Sequence, residues 1–317
     1  MTLLREALAR GESYERELLE AIKARLGSPE DYVRYQMLVA EPLARRMRPF
    51  LPPGQPRILE VGCGTGGISL YLASQGFKVT AVDREQYDHR ALHAAREYSR
   101  KQGIALAIYL ADAGALPFGG EGFDCVVCCN VVEHLDDPEA ALAEVHRVLR
   151  PGGIAFVEFP LFRSPYGGHI DDCIKVPWFH LLPKQRVQAE LRRRGGEKDF
   201  EVFRTLSGIT NRRFRGIAAN LGFETIQFRW GHYLTDPGRK LLVSLLQSVR
   251  RVSPVGGWRA VRAAASEFSA VEFAQFLLLA VTAPLSYLPG AGEFFASGVK
   301  YVLRKPLPHG SPNCELR

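Results

Sequence analysis

From residue 57 onward the chain alternates short apolar runs with amphipathic stretches. The apolar runs lie at 58–61, 77–83, 105–110, 123–129, 154–159, 223–230 and 298–306, each of strand length. Between them, Ile68, Tyr71 and Leu72, and then Ala141, Leu142, Val145, Val148 and Leu149, recur at the three- and four-residue spacing of a helix face. A further helix is expected through Tyr98, closing at Gly103, and another over 207–221. Strands without polar alternation are buried on both faces, and strand–helix alternation makes successive strands parallel through right-handed crossovers. The pattern therefore predicts an α/β, doubly wound, Rossmann-like sheet of seven strands.

Three segments break the rhythm. Residues 1–50 are predicted helical, with Ser28-Pro29-Glu30-Asp31 as cap, first-turn proline and acidic start of a helix running to about Met47 that Pro42 should kink or divide. This region is either a packing extension or a lid that turns Tyr32 or Tyr35 toward a ligand. Residues 160–206 are crowded with Pro and Gly and predict a long irregular insertion, and residues 233–292 predict a hydrophobic helical insertion with runs at 240–252 and 271–282. The expected organisation is a helical lid at 1–50, a core at 51–232 plus 293–306 with an acceptor-side insertion at 160–206, and the second insertion at 233–292.

Composition narrows this picture little. The 317 residues, 46% of them hydrophobic, carry a formal charge of +7, much of it in Arg clusters at 45–48, 192–194, 212–215 and 250–251 that suit solvated helix faces. The amino-terminal residues lack the apolar core of a signal peptide, which predicts a cytoplasmic protein. The six cysteines form no paired framework, and Cys125-x-x-Cys128 has no second pair at ligand spacing, so no metal site is predicted.

The chemistry concentrates at strand ends. Gly62, Gly64 and Gly66 follow the first strand at once, and a turn without Cβ atoms lets a ligand lie against the backbone. Asp83 ends the second strand, where its carboxylate can take two hydrogen bonds from a ribose diol. An acid about twenty residues past a glycine loop is also the dinucleotide fingerprint, so an NAD-dependent oxidoreductase stays open on these residues.

The ordered motifs E-V-G-C-G-T-G from Glu60, Asp83, L-A-D-A-G-A-L-P-F around Asp112, F-D-C-V-V-C-C-N-V-V-E-H-L and V-L-R-P-G-G resemble the class I S-adenosylmethionine-dependent methyltransferases. The resemblance covers about 57–230 and the final strand, and it implies that this last strand is antiparallel. It also implies a cofactor, S-adenosyl-L-methionine, and a set of residues for it. Gly62, Cys63 and Gly64 would lie against its methionine part, Glu60 near the ammonium, Asp83 at the ribose, Asp112 and the Ala113 amide at adenine, and Asn130 beside the methyl group, with Arg84 a further cofactor-binding residue.

A hydroxyl acceptor must also lose a proton. Candidates for that task are His134 at the end of the fourth strand, and His169, Asp171, Asp172 and His180 in the first insertion; His134, His169 and Asp171 form the expected catalytic set. Trp178 and Leu181 are expected to pin the insertion down as a hydrophobic foot. The run Asn130-Val131-Val132-Glu133 lacks the Pro-Pro-aromatic motif of nucleic-acid amino methyltransferases, and Cys128 and Cys129 lack the proline of cytosine C5 enzymes, so no DNA substrate is expected. The expected function is O-methylation of a small or lipid-linked metabolite. The alternatives are a non-catalytic S-adenosylmethionine-binding protein, an RNA methyltransferase or the oxidoreductase. The apolar stretch 271–285 is too interrupted to span a membrane. It leaves intraprotein packing, a homodimer face, or peripheral contact of 240–292 with the inner membrane surface as its uses.

Overall fold

The computed structural model describes residues 29–84, 89–170, 173–174, 176–231, 274, 277–278 and 281–308. Seven strands form one sheet: β1 (Arg57–Val61), β2 (Lys78–Asp83), β3 (Ala107–Leu110), β4 (Phe123–Cys129), β5 (Leu149–Pro160), β6 (Glu224–Gly231) and β7 (Gly298–Arg304). Their order is β3-β2-β1-β4-β5-β7-β6. The first five pair in parallel, and β7 runs antiparallel to both β5 and β6. The expected sheet with its antiparallel last strand is therefore present. The 3-2-1-4-5-6 order of dinucleotide folds is not, because β7 inserts between β5 and β6.

The parallel strands are apolar throughout because each residue meets a core on its own side. Leu59, Val61, Val126, Cys128, Ala155 and Val157 share one cluster with Leu142, Val145 and Val148 of α4 (Pro138–Val148) and with Phe214 and Ile217 of α7 (Asn211–Asn220). Their immediate neighbours Ile58, Cys125, Val127, Ile154 and Phe156 face the opposite cluster, with α1 (Pro29–Met47), α2 (Gly67–Ser74) and Ala94 of α3 (His89–Gln102). The period of two in a strand makes this division.

α1 is a full member of that second layer. Val33, Met37, Ala40, Ala44 and Met47 bury one stripe at helical spacing against the sheet side. Of the two outcomes expected at Pro42, a kink or a division, the division does not occur: one helix runs through it from Pro29 to Met47. Proline forfeits one backbone bond, and the stripe packed on both sides of it supplies enough burial to hold the turns together. The helix then reaches the glycine loop. A Cβ on Gly67 would stand 2.2 Å from Gln36 Cβ, so the absent side chain lets α1 close on the first turn of α2.

Two boundaries differ from the sequence reading. β5 starts at Leu149 rather than Ile154, because Leu149 already pairs with Phe123 before the register jumps to Cys125 opposite Ile154. The Pro-Gly-Gly segment bulges inside the strand instead of preceding it, tied by the Gly152 N–H to the Lys305 carbonyl at 2.8 Å. The insertion at 160–206 is irregular only in its first half. Its second half holds α5 (Lys184–Arg193) and α6 (Glu197–Thr205), which with Ile170 and Ile174 enclose a small core of Val187, Leu191 and Phe203. The Gly and Pro residues masked the Val187–Leu191 helical pair in the sequence.

Most of the second insertion, including 240–252, lies outside the described residues. Its described end carries a 3-10 segment, Ala283–Tyr287, and α8 (Gly292–Phe295). Among the described residues, no helix is long and apolar enough to cross a membrane.

Candidate active site

The carboxyl ends of β1, β2 and β4 converge on the glycine loop. Gly62 and Cys63 both donate backbone N–H groups to the Val82 carbonyl, at 2.9 and 3.0 Å, which binds the loop to the neighbouring strand. Gly62 (φ 75°) and Gly64 (φ 51°) hold the left-handed backbone that only glycine adopts cheaply. Their surroundings differ. A Cβ on Gly62 would stand 2.2 Å from Val131 Cγ2, whereas one on Gly64 would meet nothing within 4 Å. Gly62 is closed against the segment after β4, and Gly64 opens to the side where a ligand can approach.

Carboxylates surround this loop. Asp83 Oδ2 accepts from the Gly64 N–H at 2.6 Å, so the acid fixes the loop and keeps a second oxygen for a diol. Glu60 is 3% exposed and its Oε2 accepts from the Ser69 N–H at 2.8 Å and from the Ser69 hydroxyl. Burial pushes its carboxyl up to about 8, against the opposing pull of the Ser69 hydrogen bonds. Cys63 is buried beside it and its thiol is driven up by desolvation first and by Glu60 second, which leaves it inert.

Asp112 is more exposed and already engaged: Oδ1 accepts from the Gly114 N–H at 2.7 Å and Oδ2 pairs with Arg84 at 3.3 Å. Arg84 also reaches Asp136 at 3.3 Å, so it bridges the ends of β2 and the loops after β3 and β4. Ala113 packs partly buried against the adjoining core. Asn130 ends β4 with φ 56°, a left-handed turn that Asn tolerates, and its N–H donates to the Glu158 carbonyl at 2.8 Å. The predicted cofactor residues thus gather along one edge of the sheet. The cradle fits a ligand bearing a cation and a diol: an open glycine face, a buried carboxylate and a strand-end acid.

Directly after Asn130 a 3-10 turn, Val132–His134, places Glu133 and His134 below the first insertion. His169 comes to them from the turn after β5, in a left-handed conformation with φ 54°. The two imidazole rings meet edge to face at 5.3 Å. Their Nε2 atoms stand 3.8 and 3.9 Å from Glu133 Oε1. Glu133 is buried, and among the described residues neither carboxylate oxygen has a hydrogen-bond partner of good geometry.

Desolvation governs the protonation of this cluster. It pushes the Glu133 carboxyl up to about 8 and brings His134 down to about 4, with the neighbouring His169 adding to the latter. It lowers His169 as well, with His180 contributing. His134 Nδ1 lies 2.9 Å from Thr205 Oγ1, and the Thr205 hydroxyl donates its one hydrogen to the Val202 carbonyl. Thr205 can therefore only accept from His134, which assigns the ring hydrogen to Nδ1 and leaves the Nε2 lone pair facing Glu133.

Of the other sequence candidates, His180 is 3% exposed and structural, its Nε2–H donating to the Phe162 carbonyl at 2.6 Å. Trp178 donates its indole N–H to the Arg163 carbonyl at 3.1 Å within the insertion and meets Phe295 outside it, edge to face, while Leu181 is 44% exposed and pins nothing. Asp171, Asp172 and the Tyr32 side chain lie outside the described residues. Glu133, Thr205 and Ser69 escaped the sequence reading; an acid beside His134 in an otherwise apolar run was the one visible signal for Glu133.

Comparison with known proteins agrees with this cradle. The family model described as "Methyltransferase domain" matches residues 59–157. A ubiquinone biosynthesis O-methyltransferase of Parvibaculum lavamentivorans is 33% identical over 114 residues, covering 36% of this chain and 43% of that one. The chain spans about half the length of the first such curated relatives. An uncharacterized methyltransferase of Mycolicibacterium vanbaalenii is 31% identical over 202 residues, 61% of this chain and 75% of the relative. The crystal structure of the [4+2]-cyclase SpnF superposes with a TM-score of 0.50 at 19% identity, over 86% of this chain and 81% of that one, which speaks for the fold alone. With three quarters of the Mycolicibacterium protein matched and the glycine cradle in place, the chain belongs to the class I S-adenosylmethionine-dependent methyltransferases.

Proposed function

We propose that this protein methylates a hydroxyl oxygen of a small or lipid-linked metabolite. The observation that carries the reading is the Glu133–His134–His169 cluster, set one turn beyond the strand end that borders the glycine loop. Val131 joins the two parts, since its side chain fills the space a Gly62 Cβ would need. An acceptor held at the cluster would therefore lie beside the cradle, and near-attack placement is what a methyl transfer needs from the protein.

Bound S-adenosylmethionine supplies an electrophilic methyl group on a sulfonium sulfur. Gly62, Cys63 and Gly64 would receive its methionine part, Glu60 its ammonium, Asp83 and Arg84 its ribose, Asp112 and Ala113 its adenine, and Asn130 the edge near the methyl. His134 and His169, with Glu133, receive the acceptor hydroxyl and lower the cost of its deprotonation. A cluster that eases loss of the hydroxyl proton at this place is the feature that favours oxygen as acceptor, and the Parvibaculum relative, an O-methyltransferase by name, supports the same choice.

Exposed apolar residues on the acceptor side support a substrate with hydrocarbon character. Val176, Leu181 and Leu182 lie exposed in the first insertion, and Val281, Tyr287 and Leu288 in the second. Trp178 against Phe295 and Arg163 over Phe294 join these two segments. In the same proposal, 240–292 serves as a peripheral membrane contact or, as the alternative, as a homodimer face, and the N-terminal region as a lid.

The test is to incubate purified protein and methyl-labelled S-adenosylmethionine with extracts of its own host, separated into aqueous, lipid and nucleic-acid fractions. Label in a lipid or small-molecule product with an O-methyl resonance is expected. Label in RNA, or on nitrogen or carbon, would refute the acceptor assignment.

A further inference from the structure

We infer that Glu133, His134 and His169 bind one divalent first-row transition-metal ion, of the zinc or manganese kind, and that the acceptor oxygen is held through it. This inference rests on the methyltransferase reading and deepens it. The sequence predicted no metal site, a reading that rested on its cysteines; this donor set uses none of them.

Four observations point to a cation. One ligand atom from each residue lies within 4.8 Å of the other two. Atoms bound at about 2.0–2.2 Å around one ion stand roughly 3 to 3.6 Å apart, so the separations of 3.8 and 3.9 Å close with sub-ångström side-chain movement. The Glu133 side chain is 5% exposed, and its oxygens lack hydrogen-bond partners among the described residues, whereas buried carboxylates are normally paired or bound to metal.

His134 is also fixed as metal-binding histidines are. Its Nδ1–H is committed to Thr205, whose hydroxyl is held by Val202 O, and its Nε2 lone pair points into the cluster. His169 reaches the same point from another element by a left-handed backbone that a non-glycine residue adopts only when the surroundings impose it. Two neutral imidazoles and one carboxylate, with no thiolate, make the donor set of catalytic zinc and of open-sided iron or manganese sites, which keep coordination positions for substrate.

The chemistry follows from those open positions. A hydroxyl oxygen bound to the ion is acidified and loses its proton to water. That oxygen then forms the new C–O bond to the methyl carbon, while the C–S bond breaks with its electron pair staying on sulfur. Acceptors with a second oxygen next to the hydroxyl would occupy two positions and be preferred over lone alcohols.

Full-length protein is stripped with a chelator, titrated with Co2+ under visible spectroscopy, and challenged with Zn2+. Binding of S-adenosylmethionine is measured in parallel by calorimetry. One cobalt per chain with ligand-field bands, displaced by zinc, is expected. Glu133→Gln and His169→Asn should each weaken cobalt at least about 100-fold, and Thr205→Val about tenfold, with cofactor affinity changing by less than about threefold. No saturable cobalt, or cobalt binding that survives both ligand variants, overturns the metal site.

If either variant folds poorly, wild-type protein loaded with Cu2+ answers alone by pulsed EPR. Signals from two coordinated imidazoles support the site, and none overturns it. Absence of cofactor binding by wild type would instead bring down the methyltransferase reading and the acceptor role with it. Bound cofactor without a cobalt site would remove the metal alone.

Discussion

Glu60 gives the methyltransferase reading a signature in pH. Its carboxyl is buried to 3% exposure, takes both donors of Ser69, and sits at about 8 because burial disfavours the anion. If it receives the cofactor's ammonium, binding must draw the carboxylate form out of a mostly protonated population. Well below 8 each pH unit then weakens binding about tenfold, about 1.4 kcal/mol, and because half the carboxyl is already ionised at pH 8 the carboxylate fraction, and affinity with it, should fall about 50-fold from pH 8 to pH 6. Above about 8 the ligand's own amino group loses its proton, and affinity should turn down again.

Calorimetry in two buffers of different ionisation enthalpy measures the proton directly. Close to one proton should be released per cofactor at pH 6.5, and Glu60→Gln should abolish both the release and the acid-side slope. Affinity that is flat from pH 6 to 8 in wild type, without proton release, would refute the pairing.

The same shift acts on folding, and its sign is fixed by linkage. The folded state holds the Glu60 proton after the unfolded chain has released it near 4.5, so this contribution is full at lower pH and is lost as pH rises toward 8. The melting temperature of wild type should drop more between pH 6 and 9 than that of Glu60→Gln.

Four further substitutions separate cradle from scaffold. Gly62→Ala combines left-handed strain of about 1–2 kcal/mol with a 2.2 Å approach to Val131 that adds about 1–3 kcal/mol, so urea unfolding should show a large loss. Gly64→Ala carries the strain without the clash, and should keep most stability while losing cofactor affinity; equal stability losses at 62 and 64 would contradict the geometry. Gly67→Ala pushes a Cβ into Gln36, 2.2 Å from its Cβ and 2.9 Å from its carbonyl carbon, and should cost about 1–3 kcal/mol with faster proteolysis of the N-terminal helix; unchanged cleavage would mean α1 is not held there. Asp137→Ala removes the cap that accepts from the Glu139 and Ala140 N–H groups at 3.0 Å, and a thermal melt should register about 1 kcal/mol.

The sheet was legible because its information is local. Apolar runs of strand length, the Ser28-Pro29 helix start and Gly62 after Val61 each specify their own few residues, and the family motifs fixed the order of the elements. Where the reading failed, a distant partner decided. Pro42 stays inside one helix because Met37 and Ala44 on either side of it are buried against the sheet layer. Leu149 joins β5 early because Phe123 on another strand accepts it. α5 forms because Ile170 and Ile174 meet Val187 and Leu191, which Gly and Pro counts along the segment do not reveal.

The same division explains why the two halves of the candidate site were legible to different degrees. The cofactor half consists of strand ends, and in a doubly wound sheet every parallel strand delivers its carboxyl end to one edge, so Glu60, Asp83, Asp112 and Asn130 converge once the strands are placed. The acceptor half has no such rule. Glu133 and His134 come from the 3-10 turn that follows β4, His169 from the segment after β5, and the hydroxyl that fixes the His134 tautomer from Thr205, 71 residues beyond His134. Thr205 ends a helix whose position depends on the insertion's own core around Phe203. Perturbing that core should therefore disturb the His134 ring before it disturbs the glycine loop: Phe203→Ala should alter acceptor turnover while leaving cofactor affinity close to wild type. An equal loss of both would place the insertion under the cofactor cradle as well, against the separation of the two halves.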